Sequence, residues 1–308
     1  MYDLIIIGGG PAGVAAGVYA SRKKLKTAFI TADFNSQSVV SEEIQNWIGT
    51  VAISGQKLAD DLKAHLKAYS GDVVSIYEGE WVKDISREEA NFKVTTDKNS
   101  YLAKTVLIAT GSHRRKLNIP GADVFDNKGL TYCASCDGPI FSGQDVVVVG
   151  GGNAAFETSA QLLAYAKSVT LLNRGETFKA DPVTVEKVLS HPNMRAIKNA
   201  IPVEVRGDKF VNAIVYEDAT TKEKVELAVK GIFVEIGLIP STDFAKNIVV
   251  LNKTGQIPVD PKTQRTATDG IWAAGDCTDC LYHQNNIAAG DAVKALEDIY
   301  LYIHAGKI

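Results

Sequence analysis

Two cysteines separated by two residues are the first candidates for chemistry in this sequence. Cys133 and Cys136 lie in the stretch TYCASCDGPIF, and Asp137 follows the second cysteine directly. Such a pair can supply half of a zinc site, a structural clip or a dithiol that carries electrons. As a dithiol it closes and reopens a small disulfide ring with little backbone movement. Asp137 could then protonate a departing thiolate, or it could simply begin an Asp-Gly turn with Gly138.

The other potential metal ligands argue against zinc at this pair. A structural zinc ion needs four ligands, and the second C-x-x-C pair, Cys277 and Cys280, lies far along the chain. The histidines are scattered without ligand spacing at His65, His113, His191, His283 and His304. We therefore predict no metal site. The role of the second pair stays open between a buried thiol that fills space and an accessory disulfide.

Length and composition indicate a globular protein of two domains. The chain has 308 residues, of which 45% are hydrophobic and 22% are charged, and these are ordinary values. Its net charge of −3 gives no reason to expect nucleic acid or an anionic membrane as a partner. No stretch approaches the length of a membrane span, and the N-terminus lacks the basic region of a signal peptide. We therefore expect a cytoplasmic protein, where a C-x-x-C pair favours redox or metal chemistry over a static bridge.

An internal repeat provides the elements that must position these cysteines. Residues 3–31 read DLIIIGGGPAGVAAGVYASRKKLKTAFIT, and residues 145–173 read DVVVVGGGNAAFETSAQLLAYAKSVTLLN. Each copy contains an apolar strand, a glycine turn, a helix of small residues and a second apolar strand. The turns read G-x-G-x-x-G and G-x-G-x-x-A, which is the fingerprint of a helix N-terminus that holds a pyrophosphate. Two such motifs in register predict two dinucleotide sites, one for a flavin and one for a nicotinamide.

Further strand ends predict how the domains are arranged along the chain. Apolar strands run into Ala109-Thr110-Gly111, through GIFVEIGLIP at 231–240 and into Gly275-Asp276. We predict an α/β fold of two Rossmann-like, three-layer ββα domains, with the second inserted into the first. Residues 1–114 and 241–308 form the first domain in this prediction, and residues 115–240 form the second, which carries the C-x-x-C pair.

These motifs, in this order, resemble the low-molecular-weight thioredoxin reductase family. They also resemble the flavoprotein subunit of alkyl hydroperoxide reductase, and the resemblance covers essentially the whole chain. The motifs that carry it are GGGPAG at 8–13, NW at 46–47, ATG at 109–111, CASCDG at 133–138, GGGNAA at 150–155, AAGDC at 273–277 and YHQ at 282–284.

The resemblance implies that FAD binds the first repeat. The glycine turn would hold the pyrophosphate, and Asp33 would bind the adenosine ribose unless it is merely a loop acid. The residues implied to contact FAD are Gly8, Gly10, Pro11, Ala12, Gly13, Asp33, Ser36, Gln37, Asn46, Thr110, Gly111, Gly275, Asp276, His283, Gln284 and Asn285. The chain departs from the family at Asn35-Ser36, where two glycines are common, and at His283, where a basic residue, often arginine, usually stands.

For the second repeat the resemblance implies a nicotinamide site. An acid at the end of its second strand would favour NADH, and an arginine would favour NADPH. NADPH-specific thioredoxin reductases carry H-R-R-x-x-x-R there, whereas this chain has NRGETFK at 173–179. We expect NADPH ahead of NADH or the use of both, unless these cations are only solvated surface charges. The residues implied to contact the nucleotide are Gly150, Gly152, Asn153, Ala154, Ala155, Asn173, Arg174 and Lys179.

The implied function is that of a FAD-dependent disulfide reductase. Electrons from NAD(P)H would pass through FAD and the cysteine pair to a disulfide on thioredoxin, a glutaredoxin-like protein or a protein of the peroxiredoxin system. By resemblance, Cys136 would face the flavin, Cys133 would exchange with the partner, and Asp137 would act as the acid. Members of that family are homodimers, and their domains rotate, which implies a hinge near residues 114–120 and 240–242.

Other functions of the same fold stay open as alternatives. A dithiol oxidase would pass electrons from thiols to oxygen. A reductase of this fold could also be fed by a donor other than NADPH, such as NADH or ferredoxin. Relatives that lack the cysteine pair act as ferredoxin reductases, and the intact pair argues against that activity. A non-catalytic flavin redox sensor would normally need an output domain, for which the chain has no spare length.

Overall fold

A computed structural model of the chain describes residues 1–41 and 43–305, with the backbone alone for Val40 and Cys136. The described chain divides into two compact units. The first unit contains Met1–His113 and the residues from Ile239 onward, and the second contains Arg114–Leu238. Along the chain, the second unit therefore interrupts the first. The assignment of each unit to a particular cofactor stays a prediction.

Strands and helices alternate over residues 2–78 and 145–197, and runs of consecutive strands occupy residues 82–131 and 200–240. The strands are β1 (Tyr2–Ile7), β2 (Thr27–Thr31), β3 (Val74–Glu78), β4 (Val82–Glu88), β5 (Asn91–Thr96), β6 (Ser100–Ile108), β7 (Ser112–Arg114), β8 (Leu130–Thr131), β9 (Asp145–Val149), β10 (Ser168–Leu172), β11 (Met194–Ile197), β12 (Ala200–Gly207), β13 (Val211–Asp218), β14 (Lys224–Ala228), β15 (Gly231–Val234), β16 (Leu238–Pro240) and β17 (Ile271–Ala273). The helices are α1 (Pro11–Arg22), α2 (Gly55–Ser70), α3 (Ala134–Asp137), α4 (Asn153–Leu162), α5 (Pro182–Leu189) and α6 (Asn285–His304). Short 3-10 helices occupy Gln37–Val40, Gly138–Phe141 and Asp243–Ala245.

The first unit is built on a sheet with the order β3-β2-β1-β6-β5-β4, and β17 also pairs with β6. Strand β6 is parallel to β1 and β17 but antiparallel to β5. In β1, Leu4 and Ile6 pack into a core with α1, α2 and α6. Ile5 and Ile7 pack into a core on the other face with residues of β4 and β5. Because both faces of β1 are covered, the strand is apolar on both sides.

The second unit contains a parallel sheet of order β11-β10-β9-β15-β8 and an antiparallel sheet of order β12-β13-β14. Val147 and Val149 of β9 pack with residues of the antiparallel sheet, whereas Val146 and Val148 pack with residues of α4 and α5. The layers are therefore antiparallel sheet, parallel sheet and helices. The chain leaves β9 for β10 on one side, while β15 lies on the other side, so the strand order reverses next to β9.

Both copies of the internal repeat fold as strand, turn, helix and parallel strand. The first copy forms β1, α1 and β2, and the second forms β9, α4 and β10. The predicted α/β class with two Rossmann-like domains is confirmed. Strands β7 and β16, where the chain passes from one unit to the other, pair in a separate two-stranded sheet. Within the described residues, we find no helix that combines the length and the apolar character needed to cross a membrane.

Candidate functional site

The glycine turn after β1 has the shape that a pyrophosphate site requires. Gly8 has φ = 120°, and a side chain there would overlap the carbonyl oxygen of Ala109. Gly10 has an ordinary φ of −77°, and an added Cβ would lie 3.7 Å from Ser36 Cβ, which is a normal contact. The packing of the protein therefore explains the glycine at position 8 but not the one at position 10. Close approach of a ligand to the backbone would explain the glycine at position 10. Helix α1 begins with Pro11, so its amino end faces this turn.

The turn after β9 repeats this arrangement in the second unit. Gly150 has φ = 149°, and a side chain there would overlap the carbonyl oxygen of Glu235. Gly152 precedes α4 with φ = −99°, and an added Cβ would meet no atom of the described chain within 4 Å. Both turns therefore fit the pyrophosphate of a dinucleotide. The predicted contact residues in the first turn of α4 are Asn153, Ala154 and Ala155.

Three of the predicted flavin contacts meet beside β7 in the first unit. Gln37 Nε2 donates to Ser112 Oγ at 3.1 Å and to Asp276 Oδ2 at 3.3 Å. His283 Nδ1 lies 3.4 Å from Asp276 Oδ1, but among the described residues this buried nitrogen has no hydrogen-bond partner. Because buried ring nitrogens are rarely left unpaired, an unpaired one here fits a ligand-binding group. Sequence reasoning missed Ser112, since a single serine in a strand as short as β7 belongs to no pattern.

A second set of contacts joins the loop before α2 to the start of α6. Asn46 Nδ2 donates to Gln284 Oε1 at 3.2 Å, and Ser38 Oγ donates to Asn285 Oδ1 at 3.0 Å. Ser36 Oγ accepts from the Ser38 amide at 3.3 Å, which starts the short helix at Gln37–Val40. The structure therefore brings residues together that are more than 230 positions apart.

The remaining predicted residues of the first unit lie after strand ends or in the first turn of α1. Asp33 is exposed shortly after β2, and its carboxylate accepts from the Asn35 amide at 2.7 Å. Thr110 Oγ1 donates to the carbonyl of Ser241 at 2.7 Å. At Gly275, φ is 76°, and an added Cβ would lie 3.4 Å from Ala12 Cβ. Gly13 lies in the first turn of α1, and Gly111 follows β6 with φ = 65°.

The first cysteine pair lies at the carboxyl end of β8. This strand is parallel to β15, which is parallel to β9, so the pair shares a sheet edge with the second glycine turn. Cys133 is half-buried and disulfide-bonded. The side chain of Cys136, a predicted catalytic group, lies outside the described residues.

A threonine connects this cysteine to the predicted acid. The Thr131 hydroxyl donates to the Asp137 carboxylate and accepts from the backbone amide of Cys133 at 3.3 Å. The backbone amide of Asp137 in turn donates to the Cys133 carbonyl at 3.1 Å. Sequence reasoning missed Thr131, although its place two residues before the cysteine, where a hydroxyl reaches the backbone amide, is a usable signal.

The second cysteine pair is free in the structure. Cys277 is fully buried, with Sγ 3.5 Å from the Ile108 carbonyl and 3.4 Å from the Ala274 carbonyl. Burial raises the pKa of Cys277 to about 12, and it also raises the pKa of Cys280. These thiols therefore stay protonated near neutral pH and are poor nucleophiles. In the part of the chain that the structure describes, no group of three or more histidine, cysteine or acidic side chains is arranged to hold a metal ion.

Asn173, predicted to contact the nucleotide, shapes the loop that follows β10. Its side chain is buried, and Nδ2 donates to the Gly175 carbonyl at 2.8 Å and to the Thr177 carbonyl at 3.0 Å. A carboxylate at this position could not donate these bonds and would face two carbonyl oxygens. The Lys179 amide donates to the Gly151 carbonyl at 2.7 Å, which joins the end of the loop to the glycine turn.

Exposed cations surround this loop. Arg174 and Lys179, both predicted, are exposed. Lys198, which sequence reasoning missed, is also exposed, and its Nζ lies 5.2 Å from the centre of the Phe178 ring. The Asn199 amide donates to the carbonyl of the loop residue Gly175 at 3.1 Å. Because β11 pairs with β10 in parallel, Lys198 follows a strand end at the same sheet edge, and that topology is the signal that could have found it.

Known proteins with similar sequences and structures bear on these sites. The model of the pyridine nucleotide-disulphide oxidoreductase family matches residues 2–294. The NADH dehydrogenase of Bacillus subtilis is 38% identical over 303 residues, and a subunit of alkyl hydroperoxide reductase from Pseudomonas putida is 39% identical over 295 residues. These matches cover 98% and 96% of this chain but 58% and 56% of the relatives. The chain therefore spans little more than half the length of these curated relatives.

A solved structure matches over nearly the full length of both chains. Thioredoxin reductase from Streptococcus pyogenes is 32% identical, with a TM-score of 0.88 and coverage of 99% of each chain. The family and this structure confirm the predicted fold and the prediction of a flavin- and pyridine nucleotide-dependent oxidoreductase. The chain thus belongs to the pyridine nucleotide-disulphide oxidoreductase family, in its low-molecular-weight thioredoxin reductase group, and is related to alkyl hydroperoxide reductase.

Proposed function

We propose that this protein is a FAD-dependent disulfide reductase that passes electrons from NADPH through FAD and the Cys133–Cys136 pair to a disulfide on a thioredoxin-like protein. The observation that carries this proposal is the disulfide-bonded Cys133 at the sheet edge that also holds the second glycine turn. A disulfide at such an edge can accept electrons and can then reduce another disulfide by exchange.

In this proposal the first unit holds FAD. The amino end of α1 and its glycine turn bind the pyrophosphate, and Asp33 binds the adenosine ribose. The group around Gln37, Asp276 and His283 contacts the other end of the cofactor. The unpaired His283 Nδ1 and the glycine at position 10 support this assignment. When bound, FAD would serve as a two-electron carrier between a nicotinamide and a disulfide.

The residues of the chain itself carry out the disulfide exchange. In the reduced pair, the Cys133 thiolate attacks one sulfur of the partner's disulfide, which forms a mixed disulfide and releases the partner's other sulfur as a thiolate. The Cys136 thiolate then attacks the Cys133 sulfur, which restores the disulfide of the pair and releases the partner as a dithiol. Asp137 delivers a proton to a departing thiolate, and the Thr131 hydroxyl holds its carboxylate in place.

NADPH is the nucleotide in this proposal. The exposed Arg174, Lys179 and Lys198 around one loop support it, because a 2′-phosphate pairs with such cations. NADH is the second candidate, and the exposed Glu176 in the same loop favours it, since a carboxylate binds a free 2′-hydroxyl. The name of the Bacillus subtilis relative, NADH dehydrogenase, also favours NADH.

The partner in this proposal is a small protein with a redox-active disulfide. Thioredoxin comes first, because the structural relative is a thioredoxin reductase. A peroxiredoxin-system protein comes second, because curated relatives are alkyl hydroperoxide reductase subunits. We also propose that the protein acts as a homodimer in the cytoplasm.

Rapid anaerobic mixing of the FAD-loaded protein with NADPH or NADH tests the electron donor. We expect the flavin absorbance to bleach with NADPH at least about tenfold faster than with NADH. Bleaching by NADH alone would move the assignment to the second candidate. If neither nucleotide bleaches the flavin, the proposed function is wrong.

Cysteine variants test the path of the electrons after the flavin. Cys136→Ser should retain FAD and its reduction by the nucleotide, but it should lose reduction of thioredoxin, measured as thiols released per unit time. Cys280→Ser is the matched control, because that thiol is half-buried and free, and it should retain full activity. Thioredoxin reduction that survives in Cys136→Ser would exclude the proposed exchange.

A further inference from the structure

A buried carboxylate of the second unit has no part in the chemistry described so far. Glu235 directly follows β15, and its side chain is 15% exposed. The Thr158 hydroxyl donates to its Oε1 at 2.9 Å, and the Arg114 guanidinium lies 3.8 Å from the same oxygen. A carboxylate can accept about four hydrogen bonds. Among the described residues this one accepts a single hydrogen bond, so most of its acceptor capacity is unused.

The backbone holds Glu235 against the second glycine turn. Its amide donates to the Val149 carbonyl at 2.8 Å, and its own carbonyl oxygen occupies the space that a side chain on Gly150 would need. The residue that donates to its carboxylate, Thr158, lies on α4, whose amino end faces the same turn. Glu235 is therefore fixed next to the proposed pyrophosphate site by both its main chain and its side chain.

The sheet topology decides which half of a dinucleotide Glu235 meets. Ligands of open α/β sheets bind at the carboxyl ends of the strands where the strand order reverses, and here that point lies between β9 and β15. The adenosine half extends from the turn toward the end of β10, where Asn173 and Arg174 lie. The other half must therefore extend toward the end of β15, which is the position of Glu235.

On these grounds we infer that Glu235 is a binding residue for the nicotinamide-side ribose, whose vicinal hydroxyls donate hydrogen bonds to its carboxylate. The inference rests on the proposed nicotinamide site of the second unit. Thr158 and Arg114 orient the carboxylate through their contacts with its Oε1. A carboxylate suits a vicinal diol, because its two oxygens accept from two neighbouring hydroxyls at once.

Binding of nucleotide fragments to the FAD-loaded protein tests this inference by calorimetry. The probes are ADP, ADP-ribose and the oxidised dinucleotide, or their 2′-phosphorylated forms if NADPH is the donor. ADP-ribose carries the second ribose, whereas ADP does not. We expect Glu235→Ala to weaken the binding of ADP-ribose and of the dinucleotide about tenfold. The affinity for ADP should stay within about twofold of that of the wild type.

Two further variants separate recognition from folding. Glu235→Gln keeps the shape of the side chain and an acceptor for Thr158. It should weaken the binding of ADP-ribose by about threefold or more without changing the affinity for ADP. Glu157→Gln changes the exposed acid one residue before Thr158 on α4, and it should leave all three affinities unchanged.

The outcomes distinguish this inference from the proposed function. If the wild-type protein binds no dinucleotide, the proposed nicotinamide site is wrong. If it binds the dinucleotide and the Glu235 variants weaken all three probes equally, Glu235 has only a structural role. Weakening of the dinucleotide without weakening of ADP-ribose would assign Glu235 to the nicotinamide ring and would overturn the ribose assignment. Unchanged affinities would overturn it as well.

Discussion

The Thr131 hydroxyl connects Cys133 to Asp137. Its oxygen accepts from the Cys133 amide, while its proton is donated to the Asp137 carboxylate. Because Thr131 is buried, loss of the hydroxyl would leave both partners without this bond in a place that water reaches poorly. Thr131 is therefore a positioning residue in the proposed reaction, and Asp137 is the group that handles the proton.

Thr131→Val should slow reduction of thioredoxin by about tenfold, because valine keeps the volume of threonine but removes the bond that positions Asp137. Reduction of the flavin by the nucleotide should be unchanged. Steady-state thioredoxin reduction and rapid-mixing flavin reduction measure the two effects. Thr131→Ser retains the hydroxyl and serves as the control, and a serine variant as slow as the valine variant would show that packing, not the hydroxyl, matters.

Glu235 should make the stability of the protein depend on pH in a defined direction. Burial raises the pKa of this carboxyl, and the Arg114 charge and the Thr158 hydroxyl lower it by less, while Glu157 raises it further. The folded protein therefore binds this proton more tightly than the unfolded chain does. The resulting contribution of Glu235 to the free energy of unfolding is fully present below its pKa in the unfolded chain, which is about 4.3. This contribution is lost as the pH rises through the pKa of Glu235 in the folded protein.

Urea unfolding of the wild type and Glu235→Gln across a pH series measures this effect. The advantage in urea midpoint of the wild type over the variant should shrink as the pH rises from about 4 to about 7. An advantage that grows with pH would mean that the ion pair with Arg114 outweighs burial.

At the scale of elements, each of the two glycine turns contains two glycines that are present for different physical reasons. Gly8 and Gly150 have positive φ angles, and side chains there would overlap neighbouring carbonyl oxygens. Gly10 and Gly152 have ordinary φ angles and room for a Cβ. The first glycine of each turn is thus required by folding, and the second leaves room for the ligand that we propose approaches the backbone.

Gly152→Ala should leave the free energy of unfolding within about 0.5 kcal/mol of the wild type and weaken binding of the dinucleotide by at least about tenfold. The physical reason is that the added methyl group enters the space of the ligand and not that of the protein. Thermal unfolding and calorimetry measure the two quantities.

Gly150→Ala is the contrasting variant, because it should destabilise the second unit itself. Full dinucleotide affinity in Gly152→Ala would argue against a pyrophosphate at this turn.

At the scale of the whole molecule, the proposed reaction is divided between the two units. The proposed FAD contacts lie in the first unit, whereas the cysteine pair and the proposed nicotinamide contacts lie in the second. A molecule of this kind holds two stores of electrons, the flavin and the disulfide, and each store takes two electrons.

Anaerobic reductive titration of the FAD-loaded protein should therefore consume about four electrons per chain. The Cys133→Ser variant should consume about two, because the disulfide store is gone and the flavin store remains. Dithionite titration followed by flavin absorbance and thiol counting gives both values. Equal electron uptake by the wild type and the variant would show that the cysteine pair is not reduced through the flavin.

Much of the fold and several site residues could be predicted from the sequence, because their signals are local. A buried strand, a glycine turn and a small-residue helix lie within 30 consecutive residues, and their repetition in 3–31 and 145–173 predicted both βαβ units. The cysteine pair and Asp137 are likewise neighbours in the chain. The sequence predicted that Asn173 belongs to the loop after β10, but not that its side chain holds this loop together. Its partners are backbone carbonyls, and these carry no sequence signal.

The sequence alone determined the class of the protein, since composition, repeat and motif order depend only on the chain. The tertiary structure decided which isolated polar residues meet: Ser112 with Gln37, Lys198 with the loop after β10, and Glu235 with the second glycine turn. Strand order and register bring these residues together from distant segments. Core packing sets that order and register, and a single polar residue on a strand end adds nothing to the periodicity from which elements are predicted.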